Sequence, residues 1–350
     1  MYQDKFYING YFLIQKVNGV QRFAINLIQE LDKILYQNSQ PGIQFMCIVP
    51  KNIEHDFKII KVVVVKSGIG FIDRKQTLWE QLVLPFASRN GLLLNLCNFA
   101  PIFKKKQLVV IHDAIPFKLL KSRSSLREFL FCFIISRVAK KVKYLASVSK
   151  FSANEILEVI KIKREIIVLG NSGEHIQKVK SNDGIIQKLG LQSKQYILSV
   201  SSQANVMHKN FNILCKVAKH IDLPLIAVAE GKSQEGLVFT GRVSDGELKA
   251  LYSNATVFIF PSFYEGFGIP ILESFHCGTP CVVSDIPIFH EICADAALYF
   301  DPANYIDLIS KINMLINSET LAKDMVNKGY SRIREYQWSK ITSKLLKIIT

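Results

Sequence analysis

Short apolar segments alternate along the chain with longer segments in which apolar residues recur every three or four positions. The short segments predict strands, and in the first half they fall at 45–49, 61–65, 92–96, 108–112, 145–148 and 166–169. The longer segments predict helices that open just after Gly19, at Ser124 and at Ser152, the second of which extends to Lys143. Strands that alternate with helices in this way are typical of parallel α/β sheets.

A polar, glycine-bearing stretch from residue 170 to 193 interrupts this pattern. The pattern then restarts, with strands predicted at 196–200, 225–229, 237–240, 256–260 and 281–284 and helices at 244–253, 270–277, 304–317 and 319–330. We therefore predict an N-terminal domain over 1–170 and a C-terminal domain over 190–330, with a final helix at about 331–350 that packs back on the first. Two stacked α/β domains with a cleft between them follow, and ligands are expected outside the carboxyl ends of the strands.

The charge of the chain is concentrated in its first half. The 350 residues contain 44 Lys and Arg against 29 Asp and Glu, a formal charge of +15. Residues 1–170 contain 26 basic and 12 acidic residues, whereas residues 171–350 contain 18 and 17. Such a one-sided distribution is typical of proteins with a polyanionic partner, namely nucleic acid, an anionic membrane surface or a phosphorylated substrate. A solubilising surface with no such partner is the alternative.

Seven cysteines without a CxxC pair lie mostly in apolar segments, which favours buried thiols in a reducing compartment over disulfides or zinc. The amino-terminal decapeptide MYQDKFYING lacks the pattern of a signal peptide. The longest strongly apolar run, 129–135, has seven residues, whereas a membrane-spanning helix needs about 20. We therefore expect a cytoplasmic protein. No group of residues has metal-ligand spacing.

Two acidic residues frame a short predicted helix in the stretch FPSFYEGFGIPILESFHCGTP, residues 260–280. Glu265 lies in a loop after an apolar strand, and Glu273 lies on the helix that follows. Pro270 suits the first turn of that helix, because its missing N–H would have no partner there. Gly278 is a natural end to the helix.

The same stretch combines donors for phosphate with acceptors for hydroxyl groups. Gly266 and Gly268 allow backbone N–H groups to approach a ligand closely, and a helix N-terminus favours phosphate. The two carboxylates would repel a bare phosphate, so we expect them to bind hydroxyls instead. A nucleotide diphosphate sugar offers both kinds of group. Judged by spacing alone, an ordinary strand–helix unit whose acids stabilise the helix start explains the pattern equally well.

The segment from FTGRVSDGEL to ALYFDP, residues 239–302, resembles the family 4 (group 1) retaining glycosyltransferases. The most specific element is a Glu followed by seven residues and a second Glu, with the start EGFG, and the segments DGEL, CGTP and SDIP match as well. Weaker matches are NGVQRFA, VIHDAIPF, SVSKFSANEI and HKNF, so the resemblance spans most of the chain. It implies a GT-B fold, which is two Rossmann-like α/β domains with an inter-domain cleft, and activity without a metal ion or other cofactor.

The resemblance also implies roles at the donor. Glu273 would bind the ribose hydroxyls, and Glu265 would face the donor sugar. Lys209 would stabilise the charge that develops on the diphosphate. The sugar and the diphosphate would lie near the backbone of Gly266, Phe267, Gly268 and Ile269. Many relatives have a second basic residue shortly before the lysine, whereas SSQANVMH precedes it here; Arg242 is a conceivable substitute.

Four residues of the first half match the family more weakly. Gly19 would face the diphosphate and the acceptor, or simply open the first helix. His112 would approach the transferred sugar, or act as a structural hydrogen bonder. Arg22 and Ser149 are candidate acceptor contacts, and a surface charge is the alternative for Arg22.

Taken together, the sequence predicts a cytoplasmic, retaining hexosyltransferase. It would use a nucleotide-diphosphate sugar to extend a polyprenyl-diphosphate-linked glycan in O-antigen or capsule biosynthesis. Basic residues of helix 124–143, of 104–106 and of 118–123 predict peripheral binding to the anionic inner face of the membrane, although a core helix with a solvated charged face is the alternative. The other functions considered are a nucleotide-sugar epimerase on the same fold and a nucleic-acid-binding protein. We see no nucleic-acid recognition signature and expect no such partner.

Overall fold

The computed structural model describes residues 4–38, 42–119, 126–201 and 206–350. The chain divides into two compact units. Unit 1 comprises Met1–Asn171 and Trp338–Thr350, and unit 2 comprises Ser172–Gln337. The sequence ended the first domain at 170 and began the second at 190, whereas residues 172–189 belong to unit 2 in the structure.

Unit 1 is built on a parallel sheet that has seven strands within the described ranges. The strands are β1 (Asp4–Asn9), β2 (Ile43–Val49), β3 (Lys61–Val64), β4 (Leu92–Asn95), β5 (Gln107–Ile111), β6 (Tyr144–Ser147) and β7 (Ile167–Val168). Their order is β3-β2-β1-β4-β5-β6-β7, and every pair is parallel. The central strands β4 and β5 are buried along their full length, as expected for a sheet covered on both faces.

Helices cover this sheet. They are α1 (Gly19–Gln37), α2 (Gly70–Arg74), α3 (Gln76–Leu82), α4 (Leu84–Ala87), α5 (Ile115–Leu119), α6 (Leu126–Lys141) and α7 (Lys150–Ile160). Helix α1 begins where the Asn18 side chain accepts a hydrogen bond from the Val20 amide, 2.9 Å away. Its apolar face is buried, and the terminal helix of the chain, Trp338–Ile349, packs against it, with the Phe23 and Trp338 rings 5.7 Å apart.

Unit 2 has a second parallel sheet with the order β10-β9-β8-β11-β12-β13, counted over the described residues. Its strands are β8 (Ile197–Val200), β9 (Leu225–Val228), β10 (Leu237–Phe239), β11 (Val257–Phe260), β12 (Cys281–Ser284) and β13 (Ala297–Phe300). Its helices are α8 (His175–Lys178), α9 (Gly184–Lys188), α10 (Asn212–Val217), α11 (Asp245–Asn254), α12 (Ile269–His276), α13 (Pro287–Cys293), α14 (Tyr305–Asn317) and α15 (Glu319–Ile333), and the helix at Trp338–Ile349 is α16.

Each sheet contains a point at which the order of strands reverses, between β1 and β4 in unit 1 and between β8 and β11 in unit 2. In open α/β sheets, ligands bind outside the carboxyl ends of the strands at such a point. The loop after β8 contains Lys209, and the loop after β11 contains Glu265. The topology therefore places two of the predicted site residues at the preferred ligand position of unit 2.

The predicted fold class, two α/β domains with parallel sheets, is confirmed. The predicted start of the second helix lies outside the described residues, which resume at 126. All seven cysteines are free, and four of them are buried. None of the described helices is both long enough and apolar enough to cross a membrane.

Candidate functional site

Glycine at position 268 makes the tight turn between β11 and α12. Gly268 is the N-cap residue of α12 and has φ +119°, a conformation that favours glycine. Pro270 follows in the first turn, as the sequence predicted. The amides of Gly268 and Ile269 have no hydrogen-bond partner within the described parts of the chain. The start of α12 therefore offers backbone donors to an anion.

Lys209 and Glu265 meet at the carboxyl edge of the sheet. Lys209 Nζ lies 2.6 Å from Glu265 Oε1, and the Ser262 hydroxyl donates to the same oxygen over 2.8 Å. Glu265 is buried, at 9% exposure. Asn210, next to Lys209, holds the lysine loop in place, because its side-chain amide donates to the carbonyls of Pro261 and Pro302.

Glu273 is held at both carboxylate oxygens. His175 Nε2 lies 2.9 Å from Oε1, and the Tyr252 hydroxyl donates to Oε2 over 2.9 Å. Burial and the neighbouring carboxylate raise the pKa of Tyr252 well above its ordinary value, so this hydroxyl remains a donor. Gly173 packs against the same turn, where a Cβ would lie 2.8 Å from the Glu273 nitrogen. Only glycine fits at this contact.

Phe267 and His208 have surroundings that limit their roles. Phe267 is buried, and its ring contacts the Tyr336 ring edge-on at 5.6 Å, so its side chain belongs to the core and only its backbone is available to a ligand. Burial and the neighbouring Lys209 lower the pKa of His208 below its ordinary value. A neutral His208 does not supply the second cation that the sequence leaves unassigned. Arg242, the substitute that the sequence suggests for this cation, is exposed in the loop after β10.

Two of the four predicted residues of unit 1, His112 and Ser149, make structural hydrogen bonds. His112 Nε2 lies 2.8 Å from the Leu96 carbonyl, and burial lowers the pKa of this imidazole to about 4. Ser149 is the N-cap of α7, and its hydroxyl accepts from the Ser152 amide over 2.9 Å. Gly19 is the exposed first residue of α1, and Arg22 lies in the same turn.

Unit 1 has a pocket of about 1990 Å³ near the carboxyl ends of β1 and β4. Its wall includes a chain of amides: Gln21 Nε2 donates to Gln15, Gln15 Nε2 to Gln76, and Gln76 Nε2 to the buried carboxyl of Glu80. Aromatic and basic residues complete the wall, among them Phe71, Phe99, Lys51, Lys66, Arg74 and Lys75. Amide groups beside aromatic rings suit a carbohydrate, and the lysines and arginine suit an anionic group on it.

Sequence reasoning missed three residues that contact the predicted acids. Ser262 precedes Glu265 by only three positions, and a local hydrogen bond to it could have been anticipated. His175 and Tyr252 are 98 and 21 positions from Glu273, and no spacing rule connects them to it. Among residues 4–38, 42–119, 126–201 and 206–350, no group of three or more His, Cys, Asp or Glu is arranged to hold a metal ion.

The family model of the glycosyl transferases group 1 matches residues 181–332. The chain is 31% identical over 215 residues to the O-antigen chain mannosyltransferase RfbU of Salmonella typhimurium, an alignment that covers 57% of each protein. It is 28% identical to the O-antigen chain mannosyltransferase B of Escherichia coli, over 58% of this chain and 59% of that protein. The matches therefore span less than two thirds of these relatives' lengths.

Solved structures resemble the whole chain. Sucrose-phosphate synthase from Thermosynechococcus elongatus superposes with a TM-score of 0.72 at 15% identity, covering 99% of this chain and 98% of the other. WaaG, a glycosyltransferase involved in lipopolysaccharide biosynthesis, superposes with a TM-score of 0.68 at 13% identity and covers 99% of both chains. At these identities the likeness shows the fold.

Proposed function

We propose that the protein is a retaining hexosyltransferase that uses a nucleotide-diphosphate sugar, because residues 181–332 match the family model of the glycosyl transferases group 1 and the chain has the GT-B fold. The observation that carries the proposal is the contact of Lys209 with Glu265 beside the start of α12. Glu265 precedes Glu273 by eight positions in the sequence. The sequence's prediction of the family is confirmed.

The donor site is proposed to hold one elongated ligand. The diphosphate lies at the start of α12, where the amides of Gly268 and Ile269 and the cation of Lys209 stabilise the charge that develops as the sugar leaves. Glu265 binds the hydroxyls of the sugar, and Glu273 binds those of the ribose. Lysine and backbone donors serve the diphosphate in this scheme, and we propose that no metal ion or other cofactor is required.

Retention of the anomeric configuration is proposed to occur without a covalent sugar–enzyme intermediate. Glu265 shares one oxygen with Lys209 and Ser262, an arrangement suited to orienting hydroxyls. The acceptor oxygen would attack from the face on which the diphosphate departs. A second carboxylate that acts as a nucleophile is then unnecessary. Gly19 and His112 are proposed to contribute to donor binding only on the ground of their match to the family's motifs.

The acceptor is proposed to be a lipid-linked glycan that enters the pocket of unit 1. The amides of Gln15, Gln21 and Gln76 would contact its hydroxyls, and Lys51 and Arg74 its phosphate groups, because ionised donors bind phosphate strongly. Arg22 and Ser149 lie in the same unit and remain candidate acceptor contacts.

Helix α6 supports the proposed binding to an anionic membrane. Phe129 and Phe133 are 59% and 44% exposed, and the Arg137 guanidinium lies 5.0 Å from the Phe133 ring. Lys140 and Lys141 continue the basic surface. Exposed aromatic residues beside cations are typical of helices that lie on anionic lipid. The predicted basic stretch 118–123 lies outside the described residues from position 120, and the Lys118 side chain pairs with Glu155.

The hexose is proposed to be mannose, because several relatives are named as mannosyltransferases, two of them of O-antigen chains. We accordingly propose a role in O-antigen or capsule biosynthesis, with the protein at the inner face of the cytoplasmic membrane. Neither the epimerase nor the nucleic-acid-binding alternative is favoured by an observation in the structure.

A transfer assay tests this function. Purified protein is incubated with UDP-, GDP-, dTDP- and ADP-hexoses labelled at the anomeric carbon and with a lipid extract from bacterial membranes. We expect label in the lipid fraction from one nucleotide series, with the anomeric configuration of the donor retained by NMR and with unchanged activity in EDTA. Inversion, or conversion of the donor sugar without transfer, would contradict the proposal.

A further inference from the structure

His175 contacts the acid that is proposed to bind the ribose, although it lies in a segment to which no function was assigned. Its Nε2 atom lies 2.9 Å from Glu273 Oε1, and both side chains are only 7% exposed. His175 is the first residue of the short helix α8, which follows immediately after the division between the two units. The contact is therefore long-range and buried, unlike an exposed ion pair.

We propose that His175 is a positioning residue that makes the donor site selective for a ribonucleotide over a deoxyribonucleotide. The inference rests on the proposed role of Glu273 at the ribose. His175 and Tyr252 donate to different oxygens of that carboxylate, so rotation of the carboxylate about its Cγ–Cδ bond is blocked. Hydrogen bonds to the two hydroxyls of a ribose require both carboxylate oxygens at defined positions. A carboxylate that is already fixed meets this requirement without an entropic cost of ordering its side chain when the ligand binds.

Two neighbouring observations support a positioning role. A Cβ at Gly173 would lie within 3 Å of Glu273 N and of Leu272, so the segment that contains His175 packs closely against α12. The other ring nitrogen of His175, Nδ1, is buried without a hydrogen-bond partner in the described structure. The contact with Glu273 is thus the interaction that orients this imidazole.

The Nε2 atom of His175 must carry hydrogen to donate to the Glu273 carboxylate, so this nitrogen is the donor of the imidazole. His276 lies near both residues, and burial together with the neighbouring His175 lowers the pKa of His276 to about 4.

The test measures the ratio of dissociation constants of 2′-deoxynucleotide and ribonucleotide. Isothermal titration of UDP against dUDP and GDP against dGDP is performed on wild type, His175→Phe, His175→Leu and His175→Gln. Wild type should prefer one ribonucleotide by about tenfold, the size expected for a hydrogen bond to a charged group. His175→Phe should weaken the ribonucleotide by about that factor and leave the deoxynucleotide unchanged. His175→Gln, which retains an N–H donor, should recover part of the preference.

The outcomes are distinguishable. A preference for the ribonucleotide that survives in both His175→Phe and His175→Leu, which lack the N–H donor, overturns the inference. An equal loss of affinity for the ribonucleotide and the deoxynucleotide also overturns it, because that result indicates general disruption of the site. If the phenyl ring of His175→Phe does not fit the site, the ratio of dissociation constants is measured on His175→Leu instead. Exposed His220, replaced by Phe, controls for the substitution and should keep the wild-type ratio. A wild type that binds nucleotides without preferring ribose overturns the role of Glu273 itself, and a wild type that binds none overturns the proposed function.

Discussion

Lys209 Nζ and Glu265 Oε1 lie 2.6 Å apart in unit 2, although 56 positions separate the two residues in the chain. The contact forms because β8 and β11 are neighbours in the sheet, so that the loops at their carboxyl ends meet. The proposed cation for the diphosphate and the proposed carboxylate for the sugar are thereby placed together.

Lys209→Met should lower kcat for transfer by about a hundredfold or more, because a cation at the leaving diphosphate acts mainly in the transition state. Steady-state kinetics with a nucleotide-diphosphate hexose measure this effect. The exposed Lys219, replaced by Met, is the matched control and should retain wild-type kcat. If Lys209→Met raised only KM for the donor, the lysine would contribute uniform binding and not transition-state stabilisation.

Glu80 should make unit 1 less stable as the pH rises. Burial raises the pKa of this carboxyl to about 7 from an ordinary value of 4.5. The folded state therefore binds a proton that the unfolded state has released, and the stabilisation present below about pH 4.5 is lost as the pH rises towards 7. Glu80→Gln should remove this dependence, because the amide oxygen can still accept from Asn9 and Gln76.

Denaturant unfolding of wild type and Glu80→Gln at pH 5 and pH 8 measures that difference. The unfolding free energy of the variant minus that of wild type should be larger at pH 8 than at pH 5, by an amount on the order of 2 kcal/mol. An unchanged difference between the two proteins would show that Glu80 is ionised in the folded chain at both pH values. His112 and His276 titrate in both proteins, so the comparison removes their contribution.

Gly268→Ala should weaken donor binding and destabilise unit 2. The backbone at this position has φ +119°, and a Cβ would approach Ile271 Cδ1 to 3.2 Å. We expect a loss of about 1–3 kcal/mol in unfolding free energy, read by urea titration. Gly70→Ala, at a position with open space and no positive φ, is the control and should change stability by less than about 0.5 kcal/mol. Equal effects at the two positions would contradict the account of the turn.

Membrane binding should depend on the exposed face of α6. Replacing Phe129 and Phe133 with Ser, or Arg137, Lys140 and Lys141 with Glu, should reduce flotation with anionic vesicles at least severalfold, because both apolar contact and charge contribute. Exposed Ile306 and Met314 of unit 2, replaced by Ser, should leave flotation unchanged. Wild type that fails to float with anionic vesicles, with or without 1 M salt, would exclude the membrane surface.

Local sequence patterns predicted most strands of both sheets because buried parallel strands are short, apolar and bounded by turn residues. Strand β12 occupies the predicted 281–284. Strand β1 was not predicted, since its residues DKFYIN begin and end with polar groups and its burial comes from the neighbouring strands. Helix α13 and strand β13 were also missed; the helix has only seven residues and the strand four, too few for a clear period.

At the candidate site, the sequence pattern identified the loop, the helix start and both acids, because these are local features. It could not show that Tyr252 and His175 hold Glu273, since those contacts depend on the packing of α8 and α11 against α12. It also left open whether His112 is structural, and the structure shows its imidazole bonded to the backbone carbonyl of Leu96. The predicted roles of the site residues in catalysis stay predictions.

The central claim is that Glu273 and the start of α12 bind a nucleotide-diphosphate sugar. Thermal shift with UDP-, GDP-, dTDP- and ADP-sugars, on wild type and on Glu273→Ala, tests it most directly. We predict that one nucleotide series raises the melting temperature of wild type, because a ligand that binds the folded state stabilises it by mass action, and that Glu273→Ala loses most of that shift. No shift with any donor, or an equal shift in both proteins, would contradict the claim.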